Sequence, residues 1–243
     1  MPASLKGRSL ITLRDFSREE IRYLLDLSHR VKKEKHSGQE RFKGLTIALL
    51  FEKRSTRTRC AFETAFGEEG GHPVFLSNAD IQLGAKESIE DTARVLGRMF
   101  DCIQFRGFKT SNALALAEYS GVPVYNGLTD DFHPTQILAD LMTVEESKGR
   151  LEGVKLVYVG DGRNNVANSL MIGCSKMGTD ITVASPHSLL PSENIVTMSR
   201  EFAEKSGSLV EITTDVKKAV KDADVIYTDV WASMGEEDKL AER

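Results

Sequence analysis

A basic cluster follows the first predicted strand of this chain. Lys53 and Arg54 precede the stretch STRTR at residues 55–59, so four basic side chains fall within seven residues of a chain whose formal net charge is −4. The apolar run LTIALLF at 45–51 predicts a buried strand, and residues 56–68 predict a helix. Backbone N–H groups and the dipole at a helix N-terminus attract anions, and guanidinium and hydroxyl groups can complete such a site. The cluster therefore predicts a phosphate site, with a solvated basic loop that merely caps the helix as the alternative.

Three further side chains come at the ends of predicted strands or at the start of a predicted helix. Arg106 follows CIQF at 102–105, where it could clamp an anion or polarise a carbonyl group. His133 precedes Pro134, a favoured first residue of a helix, and a helix N-terminus disfavours imidazolium, so a neutral ring could donate a hydrogen bond to a carbonyl oxygen. Asp229 ends the run DVIYTD, and its carboxylate would suit an ammonium group. A purely structural role remains the alternative for each of the three.

The sequence indicates neither a metal site nor an organic cofactor. The five histidines include no i,i+4 pair and have no cysteine partner. The stretch VGDGRNN at 159–165 resembles a dinucleotide-binding turn, because a predicted strand ends in G-x-G before a helix. However, Asn165 replaces the third glycine of that fingerprint, and the next strand ends in Ser185 rather than in an acidic residue. We therefore expect no nicotinamide cofactor.

Composition narrows the class of protein. A length of 243 residues favours one to two domains, and 28% charged residues with a net charge of −4 and no basic tail argue against a nucleic-acid or membrane-surface partner. The three cysteines are widely spaced, which predicts neither a disulfide framework nor a thiolate metal site and favours a reducing compartment. The N-terminal stretch lacks the apolar core of a secretion signal, and no apolar run is long enough to span a membrane. These features predict a cytoplasmic protein.

Predicted strands and helices alternate along the whole chain. Ser17 with Glu20 forms a capping box that starts the first helix, and the alternation then continues to the helix HPTQILADLMTVEES. After KGRLEG at 148–153 it restarts with the strands VKLVYVG, DITVAS, LVEITT and DVIYTD. This pattern predicts an α/β fold with two doubly wound parallel-sheet domains, residues 1–150 and 151–243, which bind ligands beyond the carboxyl ends of their strands.

Five motifs, in this order and spacing, resemble the ornithine carbamoyltransferase family: FEKRSTRTRCAFE, FRG, HPTQILADLMT, GDGRNN and DVWASMGE. The resemblance covers essentially the whole chain. STRTR and HPTQ mark the aspartate/ornithine carbamoyltransferase superfamily, and Asp229 with Ser233, Met234 and Gly235 marks the ornithine branch. The resemblance implies transfer of a carbamoyl group from carbamoyl phosphate to the δ-amine of L-ornithine, which gives L-citrulline and phosphate. It also implies a carbamoyl-phosphate-binding domain followed by a Rossmann-like ornithine-binding domain.

The resemblance assigns roles to individual residues. Arg106, His133 and Gln136 are implied to be catalytic: Arg106 reaches the phosphate and the carbamoyl oxygen, His133 polarises that oxygen, and Gln136 orients the carbamoyl amide group. The implied carbamoyl-phosphate site comprises Ser55, Thr56, Arg57, Thr58, Gln82, Arg106, His133 and Gln136. The implied ornithine site comprises Asn165, Asp229, Ser233 and Met234. Gln82 would reach into the site of a neighbouring subunit, so the family implies a homotrimer or a higher homo-oligomer with shared active sites and no cofactor.

One departure from the family pattern affects the expected activity. Members of the family continue with a strand bearing an H-C-L-P motif and with a final helix, whereas this sequence stops at Arg243. The resemblance therefore predicts an incomplete ornithine-binding domain and little or no turnover of ornithine by the chain as given. Two alternatives stay open: a sister carbamoyltransferase that acts on aspartate, putrescine or an acylated ornithine, and a truncated, non-catalytic subunit that binds ligand. The S-M-G pattern with Asp229 favours free ornithine.

Overall fold

The computed structural model describes residues 4–35, 37–77 and 87–229. These residues form two compact units. The first comprises Asp26–Thr135 with the described residues up to Thr12, and the second comprises Leu13–Leu25 with those from Gln136 onward. Each unit contains a parallel four-stranded sheet with flanking helices, so the predicted α/β class with two parallel sheets is confirmed.

The first helix, α1 (Arg18–Lys33), begins where the sequence predicts it. The Ser17 N–H donates to Glu20 Oε2 at 2.8 Å, and the Ser17 hydroxyl accepts from the Glu20 N–H at 3.2 Å, which is the expected capping box. The elements that follow in the first unit are β1 (Thr46–Phe51), α2 (Thr56–Glu68), β2 (His72–Ser77), α3 (Ile89–Met99), β3 (Cys102–Arg106), α4 (Thr110–Tyr119) and β4 (Val124–Leu128).

The first sheet has the strand order β2-β1-β3-β4, and all of its pairs are parallel. Apolar side chains cover both faces: Leu50 and Phe105 belong to one buried cluster, and Leu49 with Phe66 of α2 belongs to the other. A strand buried on both faces accounts for the continuous apolar run of β1. Because Phe51 pairs with Arg106, the carboxyl ends of β1 and β3 meet at one edge of the sheet.

The second unit continues the alternation. Its elements are α5 (Pro134–Lys148), β5 (Lys155–Val159), α6 (Asn165–Met177), β6 (Asp180–Ala184), α7 (Glu193–Ser206), β7 (Val210–Thr213), α8 (Val216–Ala219) and β8 (Val225–Thr228). The sheet order is β7-β6-β5-β8, again with parallel pairs only. Helix α6 is almost wholly buried and ends at Gly178, whose φ of 80° a residue with a side chain adopts only with strain.

Strands β5 and β8 are neighbours in the second sheet, and their carboxyl ends lie together. Val159 pairs with Thr228, so the segment after β5 and the segment after β8 leave the sheet side by side. In the part of the chain that the structure describes, none of the helices has the length and apolar character needed to cross a membrane.

Candidate active site

The phosphate site predicted from STRTR lies at the N-terminus of α2. Ser55 is the N-cap residue, with φ −163° and ψ 119°, and its hydroxyl accepts a hydrogen bond from the Thr58 N–H at 3.2 Å. The first N–H groups of a helix have no carbonyl one turn earlier to bond, so those of Thr56 and Arg57 are directed beyond the helix end. Both of these residues are exposed. A helix N-terminus flanked by hydroxyl and guanidinium groups suits an anion.

Arg106, the last residue of β3, lies beside the start of α2. Its Nη1 donates to Thr58 Oγ1 at 3.0 Å and to the Gly127 carbonyl oxygen at 3.4 Å. The residue is only 7% exposed, and within the described part of the chain its Nε has no hydrogen-bond partner. A guanidinium group that is held in place and still has an unused donor is well suited to bind a ligand oxygen.

The two guanidinium groups of the site affect each other. Burial, followed by the nearby positive charge of Arg57, lowers the pKa of Arg106 to about 10. Arg106 therefore remains protonated at neutral pH. Repulsion between the two cations weakens when an anion binds beside both, which favours a doubly charged ligand such as a phosphate ester or anhydride.

His133 lies between β4 and α5, immediately before Pro134. Its Nδ1 is 3.5 Å from the Thr135 hydroxyl oxygen. Burial, followed by the positive charge of Arg106, lowers the pKa of His133 to about 3. The imidazole is therefore neutral near pH 7, and a neutral imidazole can donate one N–H to a carbonyl oxygen without protonating it.

In the second unit, Asp229 lies beside the N-terminus of α6. Asn164 Nδ2 donates to Asp229 Oδ2 at 2.8 Å. The Asn164 Oδ1 caps α6 by accepting from the N–H groups of Val166 at 2.7 Å and Ala167 at 3.1 Å. Asn165, the first residue of α6, is half-buried next to this cap. The cluster combines a carboxylate, which suits an ammonium group, with a helix N-terminus, which suits a carboxylate.

Gln136 lies in the first turn of α5, within the second unit. Its Nε2 donates to Asp140 Oδ1 at 2.9 Å, so the side chain is tied to its own helix one turn later. The contact uses the amide nitrogen of Gln136 within the protein and leaves the amide oxygen for other partners.

The predicted site residues thus divide by unit. The first unit brings together Ser55, Thr56, Arg57, Thr58, Arg106 and His133. The second unit contains Gln136, Asn165 and Asp229. Gln82, Ser233 and Met234 lie outside the described residues. Within residues 4–35, 37–77 and 87–229, no group of three His, Cys, Asp or Glu side chains is arranged to hold a metal ion.

Sequence reasoning missed Glu52, the first residue after β1. Its Oε2 accepts from the Phe108 N–H at 2.9 Å, and its Oε1 accepts from Asn112 Nδ2 at 3.1 Å. The carboxylate thereby fixes the loop that follows Arg106 to the segment that leads into STRTR. A charged residue placed directly between a buried strand and a basic cluster was the signal that could have identified it.

Gln104 was missed as well. It is fully buried on β3, two residues before Arg106 and hence on the same face of the strand. Neither atom of its amide group has a hydrogen-bond partner among the described residues. A Cβ atom at Gly127 would lie 2.3 Å from Gln104 Nε2 and 3.0 Å from Thr58 Cγ2, so only glycine leaves room for this amide. One polar residue in the otherwise apolar strand CIQF was the available signal.

Asn164 was overlooked in favour of its neighbour. The sequence pattern pointed to Asn165, yet the Asn164 side chain is the one that bonds to Asp229. Asparagine is a favoured N-cap residue, so its position immediately before α6 was the signal.

Two family descriptions match the chain. Residues 8–146 match "Aspartate/ornithine carbamoyltransferase, carbamoyl-P binding domain". Residues 152–243 match "Aspartate/ornithine carbamoyltransferase, Asp/Orn binding domain". Together the two matches span nearly the whole sequence and divide it close to residue 150.

Individual proteins are similar to the chain over nearly its whole length. The chain is 64% identical to an ornithine carbamoyltransferase of Caldanaerobacter subterraneus, with 100% of this chain and 78% of that protein covered. It is 63% identical to an ornithine carbamoyltransferase of Thermotoga maritima, with the same coverage. Among solved structures, ornithine carbamoyltransferase from Pyrococcus furiosus superposes with a TM-score of 0.95 at 48% identity, over 99% of this chain and 77% of that one.

Proposed function

The chain belongs to the aspartate/ornithine carbamoyltransferase family, and we propose from this premise that it is an ornithine carbamoyltransferase. The reaction transfers the carbamoyl group of carbamoyl phosphate to the δ-amine of L-ornithine and yields L-citrulline and phosphate. The observation that supports this most is Arg106, which is buried, bonded to Thr58 and close to Arg57 at the N-terminus of α2. This arrangement lies inside the segment that matches a carbamoyl-phosphate-binding domain.

The phosphate group is bound by the first unit in this proposal. Ser55, Thr56, Arg57 and Thr58 supply hydroxyl groups, N–H groups and one guanidinium around the anion. Ser55 and Thr58 are already held in place by the cap hydrogen bond. Preorganised donors stabilise charge without reorganising during the reaction, and the leaving phosphate gains negative charge as its bond to carbon breaks.

The carbamoyl oxygen is stabilised by Arg106 and His133. When the δ-amine nitrogen attacks the carbonyl carbon, electrons move onto the carbonyl oxygen, which becomes an oxyanion. The cationic Arg106 and the neutral His133 N–H are the donors for that oxygen. The oxyanion then collapses, the bond from carbon to the phosphate oxygen breaks, and the departing phosphate accepts the proton lost by the amine. Gln136 orients the carbamoyl NH2 group, and Gln82 is proposed to complete the site from a neighbouring subunit.

Ornithine is bound by the second unit. Asp229 attracts the α-ammonium group, and Asn165, Ser233 and Met234 hold the amino-acid end so that the δ-amine points away from it. The segment match to an Asp/Orn binding domain and the Asn164–Asp229 hydrogen bond support this assignment. Holding two reactants in a fixed geometry is worth several kcal/mol, so this chemistry needs little from acid or base side chains.

The proposal extends to the domain boundary, the oligomeric state and the location of the protein. We place the boundary between the functional domains near residue 150, supported by one family match that ends at 146 and another that starts at 152. We propose a homotrimer or a larger homo-oligomer, which size-exclusion chromatography with light scattering would test. We propose a cytoplasmic enzyme of arginine metabolism, supported by three cysteines that are all free, and cell fractionation would test the location.

A substrate panel tests the proposal. Purified protein is incubated with carbamoyl phosphate and one of four amines: L-ornithine, L-aspartate, putrescine or N-acetyl-L-ornithine. We expect carbamoylated product with L-ornithine at a rate at least tenfold above that with each other amine, because Asp229 selects a free α-ammonium group. A product formed faster from another amine would reassign the substrate. No product from any amine, with this chain and with one extended through the H-C-L-P segment that the family implies, would refute carbamoyl transfer.

A further inference from the structure

The Gln136 side chain has a defined orientation. Asp140 lies one turn later on α5, and its Oδ1 accepts a hydrogen bond from Gln136 Nε2 at 2.9 Å. A carboxylate can only accept hydrogen bonds, whereas a primary amide both donates and accepts. The nitrogen of Gln136 must therefore face Asp140, and the carbonyl oxygen Oε1 must point away from it.

A second element approaches Asp140. Tyr227 of β8 lies close enough to the Asp140 carboxyl to affect its pKa, and the ring of Tyr227 stacks on Tyr158 of β5 at 6.1 Å between centroids. The buried thiol of Cys174 on α6 lies near the same carboxyl. Asp140 is half-buried; its Oδ1 is bonded to Gln136, and its Oδ2 has no hydrogen-bond partner among the described residues. Tyr227 also lies two residues before Asp229, on the strand that leads to the ornithine end of the proposed site.

The orientation of Gln136 matters because of the chemistry of the ligand. The carbamoyl group ends in an NH2, which donates hydrogen bonds and needs acceptors. An amide oxygen supplies an acceptor, whereas a rotated Gln136 would present its own NH2 and leave two donors facing each other. An unpaired donor at a binding site costs about as much as a lost hydrogen bond.

We propose that Asp140 is a positioning residue, which fixes the Gln136 amide so that its Oε1 accepts from the NH2 group of carbamoyl phosphate, with Tyr227 beside the carboxyl tuning its pKa. The inference rests on the proposed function and on the role of Gln136 within it. It adds two residues, Asp140 and Tyr227, that contact no substrate themselves and act through Gln136.

Binding of two probes separates this role from general stability. Phosphonoacetamide keeps the primary amide of the substrate and resists hydrolysis, whereas inorganic phosphate has no amide. The variant is Asp140→Asn, whose side chain can itself donate to Gln136 Oε1 and so permits the rotated amide. The matched control is Glu146→Gln, the same change at an exposed position of the same helix.

For Asp140→Asn we expect calorimetry to give phosphonoacetamide binding about tenfold weaker, the value of one hydrogen bond. We expect unchanged phosphate binding for this variant and unchanged binding of both probes for Glu146→Gln. Equal phosphonoacetamide affinity in Asp140→Asn and the parent protein would overturn the proposal. An equal loss for phosphate and phosphonoacetamide would also overturn it, because the effect would then not concern the amide group.

The pH profile supplies a second readout that a merely structural residue would not change. Burial is the main cause that raises the pKa of Asp140 to about 6, while the hydrogen bond from Gln136 and the nearby Tyr227 hydroxyl oppose it. Below that pH the protonated carboxyl can donate to Gln136 Oε1 and release the amide orientation. Among the described residues, the titratable groups that face Asp140 are Tyr227 and Cys174. Burial raises the pKa of both, so they stay neutral in this range.

We therefore expect the ratio of the phosphonoacetamide affinity of the parent protein to that of Asp140→Asn to fall as the pH drops through about 6. The second ionisation of the phosphonate weakens binding to both proteins alike as the pH falls, so the ratio isolates Asp140. Tyr227→Phe keeps the carboxyl but removes a hydroxyl that lowers its pKa, so the fall should move to higher pH. If Asp140→Asn fails to fold, the parent protein and Tyr227→Phe are compared directly. A ratio that does not change with pH, or a fall that does not move in Tyr227→Phe, would overturn the proposal.

The binding assay and the citrulline assay fail independently. If the parent protein makes no citrulline but Asp140→Asn still loses phosphonoacetamide selectively, the proposed function is wrong and the positioning role stands. If the parent makes citrulline and Asp140→Asn shows an unchanged KM for carbamoyl phosphate and an unchanged kcat, the function stands and the positioning role is wrong.

Discussion

Protonation states at the anion site follow from burial and from the clustering of two arginines. Burial and Arg57 lower the pKa of Arg106, and burial and Arg106 lower the pKa of His133. Each effect leaves in place, at neutral pH, the form that the proposed mechanism uses: a charged Arg106 for the anion and a neutral His133 for a carbonyl oxygen. A site with one protonated and one neutral donor can stabilise an oxyanion without a metal ion.

We predict that the His133 ring stays neutral from pH 8 down to pH 5, because its pKa of about 3 lies well below the usual value of 6.5. Since unfolding restores an ordinary pKa, His133 contributes stability that is present above about pH 6.5 and is lost as the pH falls toward 3. Two-dimensional NMR of the imidazole resonances tests this, with His133→Gln to assign the signal. A His133 resonance that titrates near pH 6.5 would contradict the prediction.

A second prediction concerns Gln104, whose buried amide has no partner among the described residues. Replacing it with leucine removes two unsatisfied polar groups at similar volume, so Gln104→Leu should raise the free energy of unfolding by about 1–2 kcal/mol. The matched control is Asn126 on the neighbouring strand, which is equally buried but bonds to the Ile11 carbonyl oxygen at 2.9 Å and the Leu128 N–H at 3.0 Å.

Asn126→Leu should lower the free energy of unfolding by about 2 kcal/mol, because it leaves these two backbone groups unpaired. Urea unfolding curves of both variants and the parent protein make the comparison. If Gln104→Leu is destabilised as much as Asn126→Leu, then the Gln104 amide is satisfied in solution and the prediction is wrong.

The N-termini of helices α2 and α3 have different roles in the first unit. Ser55 caps α2 by accepting from the Thr58 N–H at 3.2 Å, and Ser88 caps α3 by accepting from the Asp91 N–H at 3.1 Å. The two caps are alike in chemistry. Only α2 has arginine side chains of the proposed site beside its N-terminus, so the pair offers a test of what the first cap does beyond stability.

We predict that Ser55→Ala and Ser88→Ala each lower the free energy of unfolding by about 1 kcal/mol, the usual value of a serine N-cap. Ser55→Ala should also weaken carbamoyl phosphate binding about tenfold or more, since the hydroxyl is a proposed phosphate ligand and holds Thr58 in place. Ser88→Ala should leave carbamoyl phosphate binding unchanged. Thermal unfolding and calorimetry measure the two effects, and equal carbamoyl phosphate affinities in both variants would remove Ser55 from the site.

Most elements could be predicted from local patterns. Residues 56–68 form a helix as expected, the capping box at Ser17 starts α1, and each of the six strands named from the sequence is present. These successes share a cause: turn chemistry and apolar periodicity are written into adjacent residues. The order of strands within each sheet cannot be read from adjacent residues, because it depends on which apolar faces pack together over long sequence separations.

Local patterns also pointed to part of the candidate site. Strand ends and helix starts pointed to Arg57, Arg106, His133 and Asp229, because such positions are readable locally. Glu52 and Asn164 were not assigned, since their partners lie 56 to 65 residues away and are not readable from adjacent residues. Asp140 bonds to Gln136 four residues earlier, but its proposed importance lies in the ligand that Gln136 contacts. A single sequence does not reveal which of many polar side chains find each other.

In the proposed assembly, each active site depends on residues of two chains. Gln82 lies outside the described residues, so its role is open to test by complementation. A Gln82→Ala chain and an Arg57→Ala chain should each be nearly inactive alone. Co-assembled in equal amounts, they should restore roughly a quarter of the parent activity, because a site works only where an intact Arg57 meets an intact Gln82. Recovery of no activity in verified mixed oligomers would contradict shared sites.

Transfer of the carbamoyl group to ornithine can be followed through the carbon atom itself. Carbamoyl phosphate labelled with 13C at the carbonyl is mixed with L-ornithine and the protein, and 13C and 31P NMR follow the products together. We predict a 13C signal of the citrulline ureido carbon that grows in a 1:1 ratio with inorganic phosphate, and that is reduced at least 100-fold by Arg106→Ala, since one transition-state donor is worth about that factor. Label that appears only in cyanate or bicarbonate, at the rate seen without protein, would contradict the assignment.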